Sequence, residues 1–251
     1  MGRLESRPYI FVMRIPVALP FHWTALLDFL RPRSVVETVG PDFYQRGDVV
    51  VRFDGEALIT TGEADRVRQL FDADADSVAI DAHLARFPLL NVANNRGVRV
   101  PGAWDPFELA LRAIVGQQVS VAGATTLMKR IATRHGLEPE TVAKAENVGM
   151  PNARWETIRG LARAVACGDL VLARGATLDE TIKALTSIKG VGPWTAHYIA
   201  MRALREPDAF PQGDLGLRKA AGNVTDRELL RLAEPWRPWR AYAAMLLWRS
   251  L

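Results

Sequence analysis

Cysteine is almost missing from this 251-residue sequence: Cys167 stands alone. A single thiol excludes an internal disulfide framework, a multi-cysteine zinc site and an iron–sulfur cluster. It makes a reducing, cytosolic compartment the expectation. Long apolar runs are missing too. None approaches the roughly 18–20 residues of a membrane span, so no membrane partner is expected. The N-terminal "YIFVM" is too short for a signal peptide, and Arg14 interrupts it. The four histidines (His22, His83, His135 and His197) are scattered and lack His-Glu-x-x-His spacing, so His197 is expected to be a satisfied structural histidine. There is no repeat of solenoid length and no low-complexity segment. What is present is a chain 49% apolar and 24% charged, of ordinary globular composition and long enough for two compact units.

Charge is unevenly spread. Residues 1–90 hold 10 Arg and 13 acids, net −3, whereas residues 91–251 hold 22 Lys/Arg and 15 acids, net +7. A basic C-terminal part suggests a polyanionic partner. The hydrophobic pattern divides the chain near the same place. Up to about residue 75, "YIFVMRI" and "SVVETV" read as strands and "HWTALLDFL" as a short helix. "DVVVRF", the turn Asp54-Gly55 and "EALITT" read as a β-hairpin, with "GEADRVRQLFD" as a helix after it. Nothing in this first part carries an evident catalytic group.

Beyond residue 75 the signals are helical. In "AWDPFELALRAIVGQQVSVAGATTLMKRIATRHG", Asp105 caps a helix, Pro106 fits its first position and Glu108 is placed to reach back; Gly136 closes the helix after it. "PNARWETIRGLARAVACG", "TLDETIKALTSI", "TDRELLRLAEPW" and "RAYAAMLLWRSL" complete the set. The expected fold is mainly α with an N-terminal α+β domain. Its parts are a small antiparallel sheet domain over 1–75 and a helical core over 76–251. Within the core, 106–206 forms a central helical domain, 76–105 and 207–251 a second one, and the cleft lies between them.

The stretch "TSIKGVGPWTAHYIAMRALREPDAFPQGDLGL" (186–217) concentrates the unusual chemistry. Two amphipathic helices flank a Gly-Val-Gly-Pro turn. Gly190 and Gly192 permit positive φ and close approach, and Pro193 suits the first turn of the second helix. Amides at such a helix start favour an anionic oxygen and grip phosphate without reading base sequence. No Gly-Lys-Ser/Thr follows and no strand precedes the glycines, which rules out a Walker loop and a dinucleotide fingerprint. An αα-hairpin whose glycines serve only the turn remains open on these residues alone. So does a purely structural Asp214, capping "LGLRKAAG".

Together with "FELALRAIVGQQVSVAGATTL" upstream and "WRPWRAYAAMLLW" downstream, this stretch resembles the helix-hairpin-helix DNA glycosylase superfamily. Within it the likeness is to the 3-methyladenine DNA glycosylase II family. It spans nearly the whole chain and is most specific over Lys189–Leu217 and Trp236–Trp248. The resemblance implies a helix-hairpin-helix glycosylase core whose catalytic aspartate is Asp214. A fixed carboxylate there would stabilise the oxocarbenium-like sugar that forms as an N-glycosidic bond breaks, and would orient the attacking water. It also implies a base pocket walled by Trp194, Tyr198 and Trp248, suited to electron-poor rings. Gly190, Val191 and Gly192 would form the hairpin on the DNA backbone, and the carbonyls of Thr186, Ile188 and Gly190 would ligate a monovalent cation. The wedge that fills the flipped base's place corresponds to Gln118, where the family's best-known members have leucine. A helix-terminal glutamine bonded to backbone fits that position as well.

Bifunctional members carry a lysine two residues after the second glycine, and here that residue is Trp194; Lys189 is no substitute. The implied activity is therefore that of a monofunctional hydrolase without AP-lyase chemistry. It would release alkylated purines of the 3-methyladenine and 7-methylguanine type from double-stranded DNA as the first step of base excision repair. It would act as a monomer and need no cofactor. Alternatives are a glycosylase for uracil, hypoxanthine or another damaged base, and a non-catalytic helix-hairpin-helix DNA-binding module.

Overall fold

The computed structural model describes residues 12–251. Tyr9, Ile10 and Phe11, the start of the strand expected over "YIFVMRI", lie outside the described residues. The first described part is a five-stranded antiparallel sheet with two helices. In chain order these are β1 (Met13–Pro16), α1 (Trp23–Leu30), β2 (Thr38–Val39), β3 (Phe43–Arg46), β4 (Val49–Phe53), β5 (Ala57–Thr60) and α2 (Ala64–Leu70). The sheet order is β1-β5-β4-β3-β2. The β4–β5 hairpin forms as the turn chemistry dictates: the Asp54 carboxylate accepts from the amides of Glu56 (3.0 Å) and Ala57 (2.8 Å). Alternation puts Ile15, Tyr44, Val51 and Leu58 on the buried face, against Leu26, Leu27, Val67 and Leu70 of the two helices.

Two strands differ from the pattern-based expectation. Of "SVVETV", only Thr38 and Val39 pair in the sheet. Ser34 instead donates its hydroxyl to the carbonyl of Arg31 (2.8 Å), prolonging the turn after α1. β3, over "FYQR", has too little apolar alternation to be read in advance. It exists because β4 offers its edge, with Tyr44 opposite Val51.

Among the described residues no strand follows Thr60. The helices are α3 (Ser77–Leu84), α4 (Pro106–Val115), α5 (Val121–His135), α6 (Pro139–Val142), α7 (Asn152–Ala166), α8 (Leu178–Thr186), α9 (Pro193–Arg202), α10 (Leu215–Ala220), α11 (Asp226–Ala233) and α12 (Arg240–Arg249). The mainly helical architecture with an N-terminal antiparallel sheet agrees with the patterning. One buried cluster joins α4, α5, α7 and, through Ala196 and Ile199, α9 around Ile114, Ile131 and Leu161. Another joins α3, the end of α9, α10, α11 and α12 around Leu84, Phe210 and Trp236. No helix among the described residues is long and apolar enough to cross a membrane.

Local signals set the helix starts. Asp105 accepts from the Glu108 amide (3.0 Å), and Thr177–Glu180 and Thr225–Glu228 form reciprocal capping boxes. The Glu108 side chain does not reach back, contrary to expectation. It pairs with Arg46 of β3, one contact being 2.8 Å, which joins the sheet to the helical part. A half-buried carboxylate gains more from a guanidinium fork than from one more amide. A second tie is the Tyr242 hydroxyl of α12, which donates to Asp72 after α2 (2.7 Å). Burial pushes Asp72 up to about 6, against the pull of that hydrogen bond and of Arg99.

Candidate active site

The turn between α8 and α9 owes its shape to Gly190. Its φ is +90°, and a Cβ there would lie 2.1 Å from the Thr157 hydroxyl of α7. Gly192 is different: its backbone is extended, and a Cβ would meet nothing within 4 Å. Val191 is buried, and its amide donates to Ile188 inside the turn (3.0 Å). The Gly190 and Gly192 amides have no acceptor among the described residues. Outward donors therefore come from the two glycines and the start of α9, while Val191 anchors the turn from beneath.

A glutamine overlooked in the sequence ties this turn to the α4–α5 connection. Gln117 donates its side-chain amide to the Gly190 carbonyl (3.1 Å) and to the Thr195 hydroxyl (2.9 Å). Backbone-directed glutamine bonding therefore belongs to Gln117. Gln118 stands exposed at the tip in a left-handed conformation, φ +58°. A groove of about 930 Å³ is lined by Gln118, Gly190, Gly192, Trp194 and Asp214.

Asp214 caps α10, accepting from the Leu217 amide at 2.9 Å. The same Oδ1 accepts the indole N–H of Trp248 (3.0 Å), and Oδ2 accepts that of Trp194 (3.0 Å). Three donors from three helices thus fix a half-buried carboxylate in one orientation. Gly216 permits this closeness, since a Cβ there would lie 3.0 Å from Asp214 Oδ1 and 3.3 Å from the Trp248 ring.

Behind Asp214 opens a cavity of about 350 Å³, within the usual range for small-molecule sites. Trp194 and Tyr198, four residues apart on α9, stack at 5.5 Å with an 18° interplanar angle. Trp248 closes against Tyr198 at 6.2 Å and against Phe29 at 6.3 Å. Asp214, Trp194, Tyr198 and Trp248 therefore share one cavity, whose outer mouth is the groove of the glycine turn.

The N-terminal part, which carries no catalytic signature in sequence, contributes Phe29 and Arg33 to this lining, and α4 contributes Arg112. No spacing signal identifies them, because the fold brings α1, α4 and α12 together over long sequence separations. Arg202 lies behind Tyr198 and donates to its hydroxyl (2.9 Å). Burial alone would raise the Tyr198 phenol, but the guanidiniums of Arg202, Arg33 and Arg112 outweigh it and bring the phenol below its usual range. His197, next to the cavity, accepts from the Phe210 amide (3.3 Å) and faces away. Burial, followed by the charge of Arg240, holds it down at about 4.

This arrangement is that of the helix-hairpin-helix glycosylase fold. A 3-methyladenine DNA-glycosylase from Archaeoglobus fulgidus superposes over 95% of this chain and 97% of its own, with a TM-score of 0.78 at 19% identity. Residues 49–105 match the AlkA N-terminal domain family. The "Probable bifunctional transcriptional activator/DNA repair enzyme AlkA" of Mycobacterium tuberculosis is 39% identical over 208 residues, 74% of this chain. This chain spans only 42% of that relative's length. The DNA-3-methyladenine glycosylase 2 of Escherichia coli is 30% identical, with 91% of this chain and 94% of the relative covered. The chain belongs to the DNA-3-methyladenine glycosylase 2 family.

Proposed function

We propose that this protein is a monofunctional DNA glycosylase that hydrolyses the N-glycosidic bond of alkylated purines in double-stranded DNA, leaving an abasic site. One observation carries the reading: a carboxylate clamped by two indole N–H groups at the mouth of an aromatic cavity. A base rotated out of the duplex fits between Trp194 and Trp248, which puts its sugar beside Asp214. As the bond to C1′ breaks, positive charge grows on the sugar. A carboxylate already held in place stabilises that charge without reorganising, and the same oxygens orient the attacking water.

The two glycine amides and the start of α9 suit a phosphate oxygen beside the lesion. Gln118, exposed at the tip of the neighbouring loop, fills the vacated place in the stack. The carbonyls of Thr186, Ile188 and Gly190 suit a monovalent cation under the turn. Ile188 already accepts from Val191 and Gly190 from Gln117, but a carbonyl has a second lone pair for an ion. Among the described residues no lysine lines the cavity, and Trp194 holds the place where a Schiff-base lysine would stand. Strand cleavage is therefore not part of the activity. The enzyme acts as a monomer in the cytosol and binds DNA with little sequence preference and steep salt dependence.

The test is release of 3-methyladenine or 7-methylguanine from alkylated duplex DNA by wild type and Asp214→Asn. Wild type is expected to release base, and the asparagine variant to lose about 100-fold or more. No release by wild type overturns the glycosylase function. Full activity in Asp214→Asn means that a group other than Asp214 carries the chemistry. With an abasic duplex and borohydride, no covalent adduct is expected; a trapped adduct would sink the monofunctional assignment.

A further inference from the structure

The cavity that receives the base is not uniformly aromatic. Arg33 and Arg112 line it, and Arg202 stands directly behind Tyr198. Among the described residues none of the three has a carboxylate within 4.0 Å. Their N–H groups are met by neutral oxygens. Arg33 donates to the Phe29 carbonyl (2.7 Å), and Arg112 to the Arg33 carbonyl and the Thr125 hydroxyl (3.1 Å). Arg202 donates to the Pro101 and Gly102 carbonyls and to Tyr198. Such partners satisfy hydrogen bonding without pairing the positive charge in direct contact, and arginine does not shed its proton. The Phe29 ring is shared between two of these cations, lying 3.7 Å from the Arg33 guanidinium and 4.7 Å from that of Arg202.

The charges are arranged along the cavity. Asp214 and Trp194 border the outer groove with the glycine turn. Arg33 and Arg112 border a small inner void of about 70 Å³ against the sheet, whose far wall carries Glu37 and Glu108 paired with Arg46. Asp214, the one acidic side chain among the described residues that line the cavity, is therefore at the sugar end, and the Arg33 and Arg112 guanidiniums are at the base end.

Resting on the glycosylase function proposed above, we infer that Arg33 and Arg112 form a positive pole that draws the glycosidic electron pair onto the departing base. In the reaction the C1′–N bond breaks, and its electron pair goes to the base nitrogen. Water oxygen forms the new bond to C1′ and loses one proton. A cationic base leaves neutral, and that proton passes to solvent. A neutral base leaves as an anion and takes up a proton. In both cases the base becomes more negative by one charge as the sugar becomes positive. A pole opposite Asp214 therefore stabilises the transition state relative to the bound substrate for either class. Binding behaves differently: the pole repels a cationic base and attracts a neutral one with a carbonyl oxygen. It speeds the chemical step for both while disfavouring the cation in the ground state.

The test uses single-turnover excision from duplexes carrying 7-methylguanine, which is cationic, or hypoxanthine, which is neutral. Wild type is compared with Arg33→Gln, Arg112→Gln and the lysine variant at each position. The glutamine variants are expected to lower the saturating rate for both bases by about tenfold to 100-fold. The enzyme concentration giving half-saturation should fall or hold for 7-methylguanine and rise for hypoxanthine. Lysine should recover much of the rate. An unchanged rate overturns the pole. So does a rate loss with half-saturation rising equally for both bases and no rescue by lysine, which marks a structural role. Among the described residues Arg33 makes a single side-chain hydrogen bond, so Arg33→Gln carries the test should Arg112→Gln not fold. If wild type releases neither base, the proposed function fails before the pole is in question.

Discussion

Asp214 does two jobs with one carboxylate. Its Oδ1 caps α10 and takes the Trp248 N–H, while Oδ2 takes the Trp194 N–H. Asparagine is as good a cap as aspartate, but its amide nitrogen must face one of these donors. Asp214→Asn is therefore expected to stay folded with a loss of about 1 kcal/mol, the cost of one unpaired indole. The two tryptophans can be separated from the carboxylate they hold. In Trp194→Phe and Trp248→Phe the ring persists and the N–H is lost, so binding of an abasic duplex should change little. Base release should fall about tenfold in each variant, because the carboxylate then has one fewer constraint on its orientation. Direct titration and single-turnover kinetics read the two effects. An equal loss of binding and rate would make the indoles ordinary walls of the cavity.

At the scale of elements, the glycine turn makes a sharper separation than its symmetric sequence suggests. Gly190 has positive φ and abuts Thr157, so Gly190→Ala should cost about 2–4 kcal/mol of stability. Gly192 is extended, with open space where a Cβ would go. Gly192→Ala should therefore melt as wild type does and yet bind duplex DNA several-fold more weakly, if a phosphate approaches there. Thermal melts beside DNA titrations decide it, and equal binding by Gly192→Ala would remove the phosphate role from that residue. Much of this region was legible in sequence, because turns and caps are local: Pro193, Thr177, Thr225 and Asp105 announce their helices. β3 was not, since a strand with a polar pattern is specified by its neighbour. The inner half of the cavity was not legible either. Phe29, Arg33 and Arg112 look like ordinary helix and turn residues until tertiary packing brings α1 and α4 onto α9.

At the scale of the whole molecule, two of the buried titrating groups, His197 and Asp72, act in opposite directions on stability. His197 is held near 4 by burial, so the unfolded chain binds its proton more readily. Its contribution to stability is present above about pH 6.5 and is lost as pH falls towards 4. Asp72 is raised to about 6 in the seam with Tyr242, so its contribution is present at low pH and is lost as pH rises from about 4 to 6. The two partly cancel. Asp72→Asn keeps an acceptor for Tyr242 and removes one of them. It is expected to lose about 1–3 kcal/mol relative to wild type on going from pH 6.5 to 4. His197→Gln should show the reverse trend. Denaturant titrations across that range check both, and parallel pH profiles for wild type and Asp72→Asn would contradict the assignment.

Gln117 has a mechanical consequence. With one amide it holds both the glycine turn and the first turn of α9, while its neighbour Gln118 forms the exposed tip. On the function proposed above, the point that would grip a phosphate and the point that would enter the stack are then set at a fixed gauge, like the jaws of a caliper. A protein sliding on DNA with such a gauge would probe every step to the same depth, and a weakened base pair would yield where a sound one resists.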